Sequence, residues 1–135
     1  MSSLTVRLLG PGECEVVHEQ SLARLRTDAP PEFGGRGRSF SATDLLAAAL
    51  GACVATSIDG VAIRHGVPLS EIEIRVDKEL GVSPKRVSRL TVTIFVPAPT
   101  PSDVIGRLHH AAASCVVHRS LHPSLEVGLR VETVG

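Results

Sequence analysis

Between Asp44 and Asp59 the chain carries no charge. Ser41 stands where an N-cap belongs, and Asp44 follows three residues later, a capping-box arrangement with Asp in the place of Glu. The acid also suits the positive end of a helix dipole. His65-Gly66, with Pro68 beyond, reads as the helix end. The predicted helix has roughly 24 residues and a length of about 36 Å. Leu46, Leu50, Cys53, Ser57 and Val61 recur at spacings of three and four, which puts Cys53 on an apolar stripe. Ala47, Gly51 and Ala55 form a second stripe, small enough for another backbone to approach closely. A helix apolar nearly all round is expected at the centre of a fold. Its uncharged run, Leu45 to Ile58, falls short of the about 20 apolar residues that a membrane span needs.

The rest of the 135-residue chain must cover this helix, and its length suits one domain, residues 1–135. There is no Trp or Tyr, and Phe33, Phe40 and Phe95 are the only aromatics. The core must therefore be built from Val, Leu, Ile and Ala. Fourteen basic and fourteen acidic residues cancel, so no charge excess draws the chain to nucleic acid or to an anionic membrane. Scarce aromatics also argue against base stacking. Zero net charge offers little defence against association, so an oligomer is expected. Three cysteines, an odd number, and an N-terminus without the layout of a secretion signal point to free thiols in the cytoplasm.

Along the chain, Thr5–Leu9, Glu13–Glu19 and Leu22–Arg26 read as three short strands in a meander, with Gly10-Pro11-Gly12 as the first turn. Asp28 to Ser39 is rich in Pro and Gly and reads as a flexible loop that carries Arg36 and Arg38. It is either a solvated connector or an active-site flap. After the long helix, Ile72, Ile74, Val76 and Leu80 alternate with charged residues, Lys78 being the exception. Leu90, Val92, Ile94 and Val96 repeat the alternation beyond Ser83-Pro84-Lys85, as an antiparallel hairpin with one buried face would. Thr100 as N-cap and Pro101 at the first position start a second helix. Its apolar face is Val104, Leu108, Ala111, Ala112 and Cys115. Cys115 to Leu121 extends or restarts this helix, His122-Pro123 stops it, and Leu125 to Val131 is a last strand.

Two segments carry a resemblance. Phe40 to Cys53, read Phe-Ser-Ala-Thr-Asp-Leu-Leu-Ala-Ala-Ala-Leu-Gly-Ala-Cys, is similar to the first cysteine helix of the OsmC-like family. Cys115-Val116-Val117-His118-Arg119-Ser120-Leu121 resembles its second cysteine motif. The resemblance implies an α+β fold in which antiparallel sheets surround two central cysteine-bearing helices of an intertwined homodimer. It also implies a thiol peroxidase for organic hydroperoxides, reduced by a dithiol, with no cofactor and no metal. By position Cys53 would be the peroxidatic residue and Cys115 the resolving one. The hydroperoxide-resistance branch has a Glu ten residues before the first cysteine and an early Arg. Here that position is Thr43, with Asp44 one place on, and Gly10 to Cys14 contains no Arg. Val116 replaces the usual proline of the second motif. The chain is closer to the less characterised branch, and a binding protein with structural cysteines is the alternative reading.

Burial in apolar surroundings raises a thiol pKa, so Cys53 needs a donor or a cation. Within its own helix only the hydroxyls of Thr56 and Ser57 are near. The candidate activators are Arg36 and Arg38 on the loop, His110 and His118 beside Cys115, and Arg119. Cys115, His118 and His110 include zinc-ligand types, but they fall short of a closed four-ligand site. Cys14 is expected to fill space on a strand.

Overall fold

The computed structural model describes residues 1–135, and its contacts divide them into two compact units, Met1–Leu46 and Ala47–Gly135. The fold is α+β.

In the first unit, β1 (Leu4–Gly10), β2 (Glu13–His18) and β3 (Arg24–Asp28) form the expected antiparallel meander. Val6, Val16 and Leu25 pair across it in one row. The third strand starts at Arg24 rather than Leu22, because Leu22 sits in the turn with φ +62°. That turn is held by His18, whose Nδ1 lies 2.6 Å from Ser21 Oγ. The loop after β3 is not the flexible connector that its Pro and Gly content predicts. The carboxylate of Asp28, 3% exposed, accepts the backbone N–H of Arg36 at 3.0 Å and of Arg38 at 3.2 Å. The chain passes so close that a Cβ on Gly35 would sit 1.9 Å from the Ala29 carbonyl oxygen. The helix α1 (Ala42–Arg64) begins here with both halves of the predicted capping box. Asp44 N–H donates to Ser41 Oγ at 3.1 Å, and Ser41 N–H donates to Asp44 Oδ2 at 2.9 Å.

In the second unit, β4 (Glu73–Val82) pairs antiparallel with β5 (Lys85–Pro97), as the alternation predicts. The last strand, β6 (Glu126–Val134), joins β5 in parallel, so this sheet is mixed rather than antiparallel throughout. The reason is the connection: α2 (Ser102–Ala113) and α3 (Val116–Ser120) carry the chain back to the start of the sheet, the crossover that a parallel pair requires. Register puts Ile74, Ile94 and Val131 in one row and Val76, Val92 and Leu129 in the next. Leu90, Val92, Ile94 and Val96 are fully buried, so the inward set read from the sequence is the core face. Leu80 is the exception, being 48% exposed next to the bulge between Glu79 and Leu80. No residue from 80 to 86 is buried, so the hairpin tip extends beyond the core.

α1 lies on this sheet through a small residue. A Cβ on Gly51 would stand 3.0 Å from Val76 Cγ2, so the helix sits close over β4. Its buried face is Ala47, Leu50, Val54, Ile58 and Ala62, one residue round from the predicted stripe. Cys53 is therefore on the flank of the buried face, half-exposed. The helix is long and apolar enough to cross a membrane by length and composition alone, and only 28% of its most apolar window is buried within the chain. α2 begins at Ser102, and Thr100 does not cap it, since its hydroxyl donates to the Pro97 carbonyl instead. Leu108 of α2 is fully buried. Leu108→Ala is expected to lower the unfolding free energy by about 2–5 kcal/mol. Urea denaturation checks this, and a loss below about 0.5 kcal/mol, typical of surface changes, would show that Leu108 is not part of the core.

Candidate functional site

The chain brings two thiols together where α1 passes the start of α3. α2 ends at Ala113, and Ser114 N–H closes its last turn on the carbonyl of Ala111. Cys115 then takes an extended conformation, φ −62° and ψ 129°, and α3 restarts at Val116. Of the two sequence readings, extension or restart, the chain adopts the restart. The β-branched pair Val116-Val117 disfavours a continuous helix only slightly, and the break at Ser114-Cys115 has a structural consequence. It makes Cys115 the N-cap of α3 and leaves the first N–H groups of that helix without helical partners.

Those donors serve the cysteines. The Cys53 thiol is held below its ordinary value first by the Cys115 S–H, then by the backbone N–H of Val117, with smaller help from Val116 N–H and the Ser57 hydroxyl against the cost of burial. Cys115, fully buried, is pushed up, first by burial and then by donating to Cys53 and facing its charge. The N–H groups of His118 and Val117 offset part of this. Of the two, Cys53 is therefore the thiol that loses its proton first, and Cys115 is the one that keeps it. Ser57 has a single hydrogen, and its hydroxyl donates at 2.7 Å to the Cys53 carbonyl, so its help to the sulfur is the smaller use of that group. All three cysteines are free thiols, and Cys14 lies half-buried on β2.

The lowered pKa of Cys53 fixes a pH profile. Its thiolate persists as pH falls below the ordinary thiol range and is lost only as pH falls through the depressed value. Cys115, raised, ionises only above that range. Alkylation by iodoacetamide, followed residue by residue by mass spectrometry, is expected to label Cys53 at lower pH than Cys115. Identical pH profiles for the two thiols would contradict this assignment.

The candidate activators fall into three groups. His118 gives its backbone N–H to Cys115 rather than to Cys53, and it lines a cavity of about 250 Å³ with Leu50, Val54, Ala112, His109 and Leu129. Leu50 and Val54 belong to the buried face of α1, and neither Cys53 nor Cys115 lines this mainly apolar space. Arg119 is exposed, and its backbone N–H closes the first turn of α3 on the Cys115 carbonyl at 3.2 Å. His110 lines a different groove, with Arg64 and Arg107. No three His, Cys, Asp or Glu side chains converge as metal ligands, so Cys115, His118 and His110 form no such set. Arg36 and Arg38 belong to the first unit and are gathered on Asp28. Arg38 Nε donates to Asp28 Oδ2 at 3.0 Å, and its Nη2 donates to Glu13 Oε2 at 3.1 Å. The Arg36 N–H first, and then the Arg38 guanidinium, hold the Asp28 carboxyl below its usual range.

Sequence reasoning missed the backbone donors of Val116 and Val117 and the buried role of Asp28. The first had a readable signal, a cysteine at a helix start. The second had none, because Asp28 looks like any loop acid.

The family model for OsmC-like proteins matches residues 35–130. Comparison with curated proteins finds no match. Among solved structures, a protein of Psychrobacter arcticus 273-4, provisionally assigned to osmotic stress induction and detoxification response, superposes with a TM-score of 0.90 at 28% identity, covering 98% of this chain and 96% of that one. An organic hydroperoxide resistance protein OsmC of Legionella pneumophila gives 0.73 at 21% identity, over 98% and 96%. The organic hydroperoxide resistance protein OhrB of Bacillus subtilis gives 0.67 at 17% identity, over 98% of both chains. The last two likenesses are of fold.

Proposed function

Since the chain belongs to the OsmC-like protein family, we propose that it reduces organic hydroperoxides through the Cys53 and Cys115 pair. The observation that carries this reading is the contact of the two thiols, with the Cys115 S–H and the N–H of Val117 lowering Cys53 while burial raises Cys115. A thiolate is the nucleophile in such chemistry, and a neighbouring thiol supplies the second half of the cycle. The Cys53 thiolate attacks the distal peroxide oxygen, the O–O bond breaks, and the alkoxide leaves to take up a proton. Cys53 is then a sulfenic acid. The Cys115 sulfur attacks it, a disulfide forms and water leaves. A dithiol returns both thiols by exchange and is itself oxidised to a disulfide. Two organic hydroperoxide resistance proteins, of L. pneumophila and B. subtilis, share the fold, which favours this reading. The test is consumption of cumene hydroperoxide with dithiothreitol as reductant. Failure to turn over either reagent would leave a binding protein with structural cysteines. A reducing cytoplasm is the proposed setting, because the cycle starts from free thiols.

The same proposal includes a homodimer. Leu4, Val6 and Leu8 of β1 are 64%, 60% and 80% exposed. On α1, Ala48, Ala49, Ala52 and Ile63 are exposed as well. A second copy that covers these residues removes a large apolar surface from water. Gel filtration with light scattering is expected to give twice the 14.2 kDa chain mass, and a monomer at micromolar concentration would refute the dimer.

A further inference from the structure

A second set of chemistry lies away from the thiols, where the C-terminal end of α1 meets α2. Arg64 at the end of α1, His65 just beyond it, and Asp103, Arg107 and His110 from α2 line a groove of about 570 Å³. That volume is in the range of small-molecule sites. The chain as a whole is neutral, so this concentration of guanidinium and imidazole groups is local.

The ordinary explanations for these residues do not account for them. A basic residue at a helix end usually serves the last carbonyls. Here the carbonyls of Val61, Ala62 and Ile63 already accept the backbone N–H of His65, Val67 and Gly66. Arg64 is left to fold over the helix surface, with its Nη1 3.5 Å from where a Cβ on Gly60 would stand. An Arg four residues after an Asp usually pairs with it. Arg107 follows Asp103 at that spacing, both line the groove, and neither Arg107 nor Arg64 takes part in an ion pair. Gly106, between them on the groove wall, leaves open space beside α2.

Two uncommitted guanidinium groups facing one concave space are what a multiply charged oxyanion selects, because each presents paired N–H donors to two oxygens. The geometry points to a binding site in this groove for a small, soluble, multiply charged oxyanion, phosphate- or carboxylate-bearing. Arg64 and Arg107 supply the charge-assisted bonds, and His65 and His110 supply further donors. The site is separate from the thiol pair and does not depend on it.

Pyrophosphate and citrate, titrated separately into full-length ¹⁵N-labelled protein at physiological ionic strength, test the site. The expected result is saturable one-site binding of at least one of them, with the largest shifts at the Gly66 and Gly106 amides. The anion that binds more tightly identifies the phosphate or the carboxylate class. The double variant Arg64→Gln/Arg107→Gln is expected to bind about tenfold or more weakly. Arg86→Gln, at the tip of the β4–β5 hairpin, is expected to bind as the parent does. Hydroperoxide consumption by the double variant is expected to be unchanged, which separates failure of this site from failure of the thiol reading. No saturable binding of either anion, shifts spread over the whole surface, or undiminished affinity in the double variant would overturn the proposal.

Discussion

Cys53→Ser is expected to lower the rate of organic hydroperoxide consumption at least about a thousandfold, the order of loss seen when a nucleophile is removed. Serine keeps the shape and fits the same flank of α1. It does not keep the charge. The groups around Cys53, the Cys115 S–H and the N–H of Val117 and Val116, are donors arranged for an anion. They lower a thiol from an ordinary value of about 8.5, but a hydroxyl starts far higher and stays protonated. The variant should fold normally, which thermal melting verifies, and should bind substrate without turnover. Rates equal to wild type would mean that Cys53 is not the attacking atom. The assay needs the dithiol in excess, so that the chemical step and not re-reduction limits the rate.

How far the sequence could be read depends on the kind of interaction. The capping box at Ser41 and Asp44 is local, and both of its hydrogen bonds are present. The inward set of β4, β5 and β6 follows from alternation, which a sheet with one buried face enforces. The direction of β6 was not readable, because alternation is the same in a parallel and an antiparallel strand. The face of α1 was off by one residue, because a helix apolar nearly all round gives no contrast from which to choose a side. That Cys53 and Cys115 come together was legible through the two cysteine segments. The groups that lower the Cys53 pKa were not. The side chains of Arg36, Arg38, His118 and Arg119 were the visible candidates, whereas the donors to Cys53 are a second thiol, a hydroxyl and main-chain N–H groups. Main-chain groups are identical in every sequence, so they appear only when the break at Ser114 and Cys115 is known. The loop around Asp28 failed for the opposite reason. Its Pro and Gly residues signal flexibility, but Gly35 is there to let the chain pass Ala29 closely.

Cys115 has two roles in this mechanism, and two substitutions separate them. In the resting site its S–H is the foremost reason that the Cys53 pKa is low. In the next step its sulfur must form the disulfide. Cys115→Ser retains a donor but cannot resolve the sulfenic acid. Without a dithiol to reduce the sulfenic acid directly, it is expected to consume about one equivalent of hydroperoxide per chain at a rate close to that of wild type, and a second only slowly as the sulfenic acid is oxidised to sulfinic. Cys115→Ala removes the donor as well. Its first equivalent is expected to react more slowly at neutral pH, with the Cys53 alkylation profile displaced to higher pH. The sign follows from linkage: losing a group that favours the anion raises the pKa, and the thiolate fraction at a fixed pH falls. Stopped-flow consumption, with mass spectrometry of the product, distinguishes the cases. Both variants should accumulate Cys53 in its sulfenic and then sulfinic forms, where wild type gives an intramolecular disulfide. Continued turnover of Cys115→Ser at the wild-type rate would remove Cys115 from the resolving role. Equal alkylation profiles for Cys115→Ala and wild type would place the control of Cys53 wholly in the main-chain donors of Val116 and Val117.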